Sequence, residues 1–214
     1  IWVAEGTYKP DQGAGKTAGD RTSPFLLVNG VGMYGGFKGT ETARTPLGDG
    51  NQTILSGEID ANSTLWSIHV VMGNGLDASA VMDGFRITKG NANGNDYYGK
   101  GGGILLEYSS PTLIKCIFSG NSATGPLFGG GGGMHNSGSS PTLTDCVFTD
   151  NSAPTGGGMY NASASSPTLT SCVFTDNSAT SGGGMYNFLL SSPTLFNCTF
   201  SRNSSLGRSG GGMS

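Results

Sequence analysis

The sequence predicts an all-β chain wound as a right-handed parallel β-helix, and three observations predict it. The first is a repeat. An SPTL element places prolines at Pro111, Pro141, Pro167 and Pro193, in steps of 30, 26 and 26 residues. Cys116, Cys146, Cys172 and Cys198 step identically, as do Phe118, Phe148, Phe174 and Phe200, and Asn121, Asn151, Asn177 and Asn203. A fixed period in this range is the mark of a solenoid. The second is composition. The repeats are rich in Thr, Ser, Val, Phe, Asn and Gly, and each carries a proline, which together disfavour helix. The third is alternation. Leu143 points inward between outward Thr142 and Thr144; Cys146 and Phe148 point inward around outward Val147. Leu143 and Cys146 are an odd number apart, so the inward phase must reset at a bend near Asp145, with Lys115, Ser171 and Asn197 as equivalents.

Taken in order, residues 1–4 read as a buried strand and residues 9–24 as a polar projecting loop. Residues 25–28 and 31–37 are strands on either side of the turn pair Asn29-Gly30. Loops are expected over 38–52 and 57–65, with a short strand at 53–56. Residues 67–72 and 80–88 alternate, with a bend at Asp83-Gly84, and 91–100 is a loop. Residues 1–100 thus form irregular coils with projecting loops, and 101–214 form regular coils of about 26 residues, open at the C-terminus. A Gly-Gly-Gly-Met run supplies a third strand per repeat, with Met134, Met159 and Met185 inward. The expectation is six to seven coils of three short strands each. Proline to asparagine is always ten residues, whereas asparagine to the next glycine block varies most, so the latter should leave the wall as a loop.

Residues one period apart lie above one another in such a helix. Leu113, Leu143, Leu169 and Leu195, the cysteine column and the phenylalanine column should therefore stack as core ladders. The asparagine column suits coil-to-coil hydrogen bonding in a bend, because its side chain carries both donor and acceptor. Stacked cysteines point the same way, whereas a disulfide needs a specific crossed geometry, so free buried thiols are expected. No histidine shares their column, so no metal site is expected there.

Charged residues make up 12% of the chain and the net charge is −3. No basic cluster exists, which argues against nucleic acid. No apolar run is long enough to insert this segment directly into a membrane, and no leader peptide is visible. Both ends cut through the repeat, which suggests a piece of a longer stack or head-to-tail self-association.

Glycoside hydrolysis needs two positioned carboxylates. Asp145 has Lys115, Ser171 and Asn197 in its column. Asp150 and Asp176 stack, flanked by Gly120 and Arg202. Asp77, Asp83 and Asp96 lie in the irregular half, where the repeat does not place them. His69 and His135 are the only histidines, and both read as outward. These patterns predict no catalytic residue, no metal and no cofactor. A candidate ligand-binding stripe remains: His135, Tyr160 and Tyr186, following the inward methionines, should line one outer wall, where aromatic rings can stack on sugars. Thr112, Thr142, Thr168 and Thr194, with Thr144 and Thr170, form a second outer file of the kind that can match an ice lattice. Ile114 and Phe196 interrupt it.

The motif GGG[M/I] followed by F-x-x-N, at Phe118–Asn121 and its three successors, resembles the repeat of the polymorphic outer-membrane proteins. In that family GGA[I/L/V] and FxxN motifs build a β-helical adhesin passenger; this sequence has a third glycine instead. The stretches IWVAEGTYKP, VNGVGMYGGFKGTET, TILSGEI and VMDGFRITKGNANG resemble bacterial surface proteins with right-handed parallel β-helix repeats. The resemblance, with the preference of β-crossovers for one hand, implies a right-handed coil. It also implies a non-enzymatic, extracellular or cell-surface module for adhesion or fibre formation, meeting a glycan or a host or neighbouring cell surface. A polysaccharide lyase or glycoside hydrolase is the alternative, and an ice-binding protein the minor one.

Overall fold

In the computed structural model the chain turns at corners held by left-handed residues. The structure describes residues 1–41, 52–60, 65–125, 129–207 and 210–214, and for Asp96 the backbone alone. One corner column is Gly84, Lys115, Asp145, Ser171 and Asn197, the last four with φ between 48° and 54°. This is the expected phase reset. The next corner is Lys89, Gly120, Asp150, Asp176 and Arg202. Two further corners follow, at Tyr108 and Gly138 with their successors, and at Gly101, Gly131, Gly156 and Gly182.

Four corners make four walls. The proline wall holds Thr112–Ile114, Thr142–Thr144, Thr168–Thr170 and Thr194–Phe196, continuing Trp2–Ala4, Gly32–Phe37 and Val81–Asp83. The phenylalanine wall runs from Gly6–Tyr8, Thr53–Ser56 and Phe85–Thr88 through Ile117–Ser119, Val147–Thr149 and Val173–Thr175 to Thr199–Ser201. The methionine wall stacks Phe25–Leu26, Val71–Asn74, Ile104–Glu107, Met134–Ser137, Met159–Ala162 and Met185–Asn187. The fourth wall, serine-rich and shorter, stacks Asn91–Ala92, Ser122–Ala123, Ser152–Thr155, Ser178–Ser181 and Ser204–Ser205. Each regular coil thus has one strand more than the three expected. The segment after each ladder asparagine, read as a loop, starts with this strand. It is too short for alternation to reveal it, and its inward residue is alanine in four coils. Pairing within all four walls is parallel.

In the irregular half, the strand expected over 67–72 forms instead at Val71–Asn74, and the loop expected over 91–100 contains Asn91–Ala92 and a 3-10 turn at Asp96–Gly99. The loops at 38–52 and 57–65 fall partly outside the described residues, as does Arg208.

Like stacks on like through the core. Leu143, Cys146, Phe148, Met159, Leu169, Cys172, Phe174 and Met185 are all 0% exposed. Phe118, Phe148, Phe174 and Phe200 form one column of parallel rings, with centroids 4.7, 4.6 and 4.6 Å apart. That is the spacing of neighbouring strands. All four cysteines are free thiols; the first three are buried and Cys198 is half-buried.

The asparagine column is a directed ladder. Asn121 donates from Nδ2 to Asn151 Oδ1 at 3.1 Å, Asn151 to Asn177 at 3.0 Å, and Asn177 to Asn203 at 2.9 Å. Each acceptor oxygen also takes the backbone N–H of the asparagine before it. Each Nδ2 from Asn151 onward also reaches back to the phenylalanine carbonyl of the preceding coil, as Asn151 does to Phe118 at 2.9 Å. Buried amides are thereby satisfied without water.

Candidate functional site

The outer face of the methionine wall carries Met72, Leu105, His135, Tyr160 and Tyr186 in strict register. Two segments close over its first half. The turn Asp96–Gly99 brings the Tyr97 hydroxyl to Met72 Sδ at 2.6 Å, and Lys100 pairs with Gly130 beside it. His135 is 2% exposed rather than on the surface. Its Nδ1 meets the Gly130 carbonyl at 3.3 Å. His69, also expected outward, is 4% exposed; its Nδ1 meets the Gly101 carbonyl at 3.0 Å, and the rings of Tyr97 and Tyr98 pack against it. A carbonyl partner fixes the proton on Nδ1 in both rings. Burial drives the pKa of His69 down to about 4 and, aided by the Lys100 charge, that of His135 to about 3. Both are neutral wall components at ordinary pH. The sequence misplaced them because the cover comes from loop and turn segments that lie outside the repeat.

Tyr160 and Tyr186 stay half-buried, and Tyr160 has no open face. Its ring lies between His135, 4.9 Å away at 21°, and Tyr186, 5.6 Å away at 3°. Parallel rings this close overlap by their faces. What Tyr160 shows to solvent is edge and hydroxyl, the latter held above its usual pKa mainly by desolvation. Of the two tyrosines, only Tyr186 has a face with no ring stacked on it among the described residues. The residue beyond it in its column is Ser214.

The acids are likewise engaged. Asp176 forms a two-pronged ion pair with Arg202, Nε to Oδ1 and Nη2 to Oδ2 at 2.8 Å each, and accepts from Thr175 Oγ at 2.9 Å; these contacts hold its carboxyl below the usual range. Asp150 accepts from Thr149 Oγ at 2.9 Å. Asp77 binds the Ser79 backbone and hydroxyl in an exposed turn, whereas Asp83 is buried on the proline wall in register with Ile114. The Asp96 side chain lies outside the described residues. Among the described residues, no three His, Cys, Asp or Glu side chains are placed to hold a metal ion.

Two features escaped the sequence reading. A second amide ladder runs inside the methionine wall: Asn136 donates to Asn161, and Asn161 to Asn187, both at 2.8 Å. Leu106 occupies this column one coil earlier and offers no donor, so Asn136 Oδ1 is left unpaired. The M-x-N spacing signals this ladder only where the preceding coil also carries asparagine. The other feature is an open recess at the corner between the phenylalanine and serine walls, lined by Trp66, Lys89, Gly90, Gly120 and Ser122.

Residues 61–213 match a family described as the right handed beta helix region. The chain belongs to the right-handed β-helix family. No curated protein and no solved structure matches it. Right-handed β-helix domains occur in enzymes and in non-enzymes alike, so membership gives the fold and leaves the chemistry to the residues.

Proposed function

We propose that this β-helix is a non-enzymatic extracellular or cell-surface module that attaches to glycans or to a neighbouring surface along its outer walls. One observation carries the reading: the side chains that sugar chemistry would recruit are engaged in contacts within the coil stack. His69 and His135 are buried neutral components of a wall. Asp176 clamps Arg202 of the following coil, and Asp150 holds its own Thr149. A general acid or base must be free to exchange a proton near neutrality; burial holds both histidines neutral, and Arg202 holds Asp176 ionised. The resemblance to adhesin passengers and bacterial surface repeats points the same way.

The test incubates the full chain with pectin, alginate and neutral polysaccharides, following both product release and retention of protein on the insoluble polymer. Retention without turnover is the expected result. Turnover that disappears on Asp150→Asn or Asp176→Asn would replace this reading with that of a carbohydrate-active enzyme.

A further inference from the structure

We propose that the recess bounded by Trp66, Lys89, Gly120 and Ser122 binds one uncharged pyranose unit of a glycan. This deepens the glycan-attachment reading above and rests on it.

The recess exists because one corner lacks a side chain. The column Lys89, Gly120, Asp150, Asp176 and Arg202 has φ between 51° and 61° throughout. Lysine, aspartate and arginine all adopt this conformation here, so the backbone does not demand glycine at 120. Nor does packing: a Cβ at Gly120 would meet only Thr88 Oγ, at 3.8 Å. What the glycine does is leave the floor open beside Trp66.

Trp66 is held in place from two directions. Arg21 donates from Nε to the Trp66 carbonyl at 2.6 Å, and from Nη2 to the Asn91 carbonyl at 3.3 Å and Asn93 Oδ1 at 2.8 Å. Trp66 also pairs antiparallel with Glu58, and Ser67 N–H reaches the Gly57 carbonyl at 2.6 Å. A loop arginine thus anchors the backbone that carries the indole, part of the preorganisation a binding site needs. The indole Nε1 is buried and has no hydrogen-bond partner among the described residues.

The rim chemistry narrows the ligand. Lys89 Nζ pairs with Glu58, so the ammonium stands at the recess with its charge neutralised. Ser122 Oγ donates to Asn91 Oδ1 at 3.1 Å, leaving its lone pairs open. An apolar ring wall with hydroxyl-scale donors and acceptors, and no net charge, fits a neutral sugar. A phosphate or uronate would call for uncompensated cations.

The test uses the full chain, an array of glucose-, galactose- and mannose-terminated oligosaccharides, and titration of the best binder followed by the two indole N–H signals in a nitrogen–proton correlation spectrum. Expected is movement of the Trp66 signal, with Trp2, which stacks on Phe37, unmoved. Trp66→Ala and Gly120→Asp should each weaken binding by about ten-fold or more, and Tyr186→Ala by less than about two-fold. Gly120→Asp copies the residue that Asp150 presents at the same φ, so it fills the recess while the fold persists, as an unchanged melting curve would verify. Undiminished binding by both recess variants overturns this site while leaving glycan attachment intact. Failure of the unaltered chain to bind any oligosaccharide or polysaccharide overturns both.

Discussion

A phenylalanine in the middle of the ladder serves two neighbours at once, so its removal opens a gap in a column rather than in a cluster. Phe148 lies between Phe118 and Phe174 and is fully buried. Phe148→Ala should cost about 3–5 kcal/mol, read as a lowered urea midpoint. The histidines give a pH dependence with a definite sign. Their folded pKa values, about 4 and about 3, lie below the ordinary value of 6.5. Above pH 6.5 both states are neutral and nothing is lost. As pH falls through that value the unfolded chain takes up protons the folded chain refuses, so stability declines down to about pH 3. His69 alone accounts for roughly 3 kcal/mol across its window. Thermal melts from pH 8 to pH 3 should show this fall, and His135→Leu, which repeats the neighbouring Leu105, should shrink it. An equally steep fall in that variant would remove His135 from the account.

At the scale of the element, the glycine block sets how closely coils approach. A Cβ on Gly158 would stand 2.5 Å from the Gly184 carbonyl oxygen and 2.9 Å from the Phe174 ring, and Gly133 and Gly184 face the next phenylalanines in the same way. The third glycine makes room for the ring that the ladder needs. Gly158→Ala should therefore destabilise by about 1–3 kcal/mol through overpacking, again measured by urea unfolding. The columns were legible in the sequence because stacking demands identity: Leu143 over Leu169, Asn151 over Asn177. The phase reset at Asp145 was legible from one odd spacing. The serine wall was not, because Ser122–Ala123 is too brief to show a period. Nor was the burial of His135, whose ring meets the Gly130 backbone, or of His69, on which Tyr97 and Tyr98 pack. Nor was the recess at Trp66, which needs a loop, a corner and the distant Arg21 to meet. Periodic contacts write themselves into the sequence; contacts between a loop and a wall do not.

For the whole molecule, each coil pairs only with the coils before and after it, so protection should be graded along the axis. Val147–Thr149 pairs on both sides, whereas Thr199–Ser201 pairs on one. Hydrogen exchange should be slowest at the former and markedly faster at the latter; equal rates would mean the stack opens as one unit. The directed asparagine ladder has a further consequence. Every rung presents an acceptor to the coil before it and a donor to the coil after it, so any regular coil is chemically compatible with any other. Length is then a graduated quantity. A 26-residue duplication or loss in the coding sequence, such as excision of residues 152–177, rejoins Asn151 to Ser178 with each column still matched. It changes the rod by one graduation of about 4.8 Å. Such a molecule can be lengthened or shortened like a ruler, by whole divisions, without inventing a new contact.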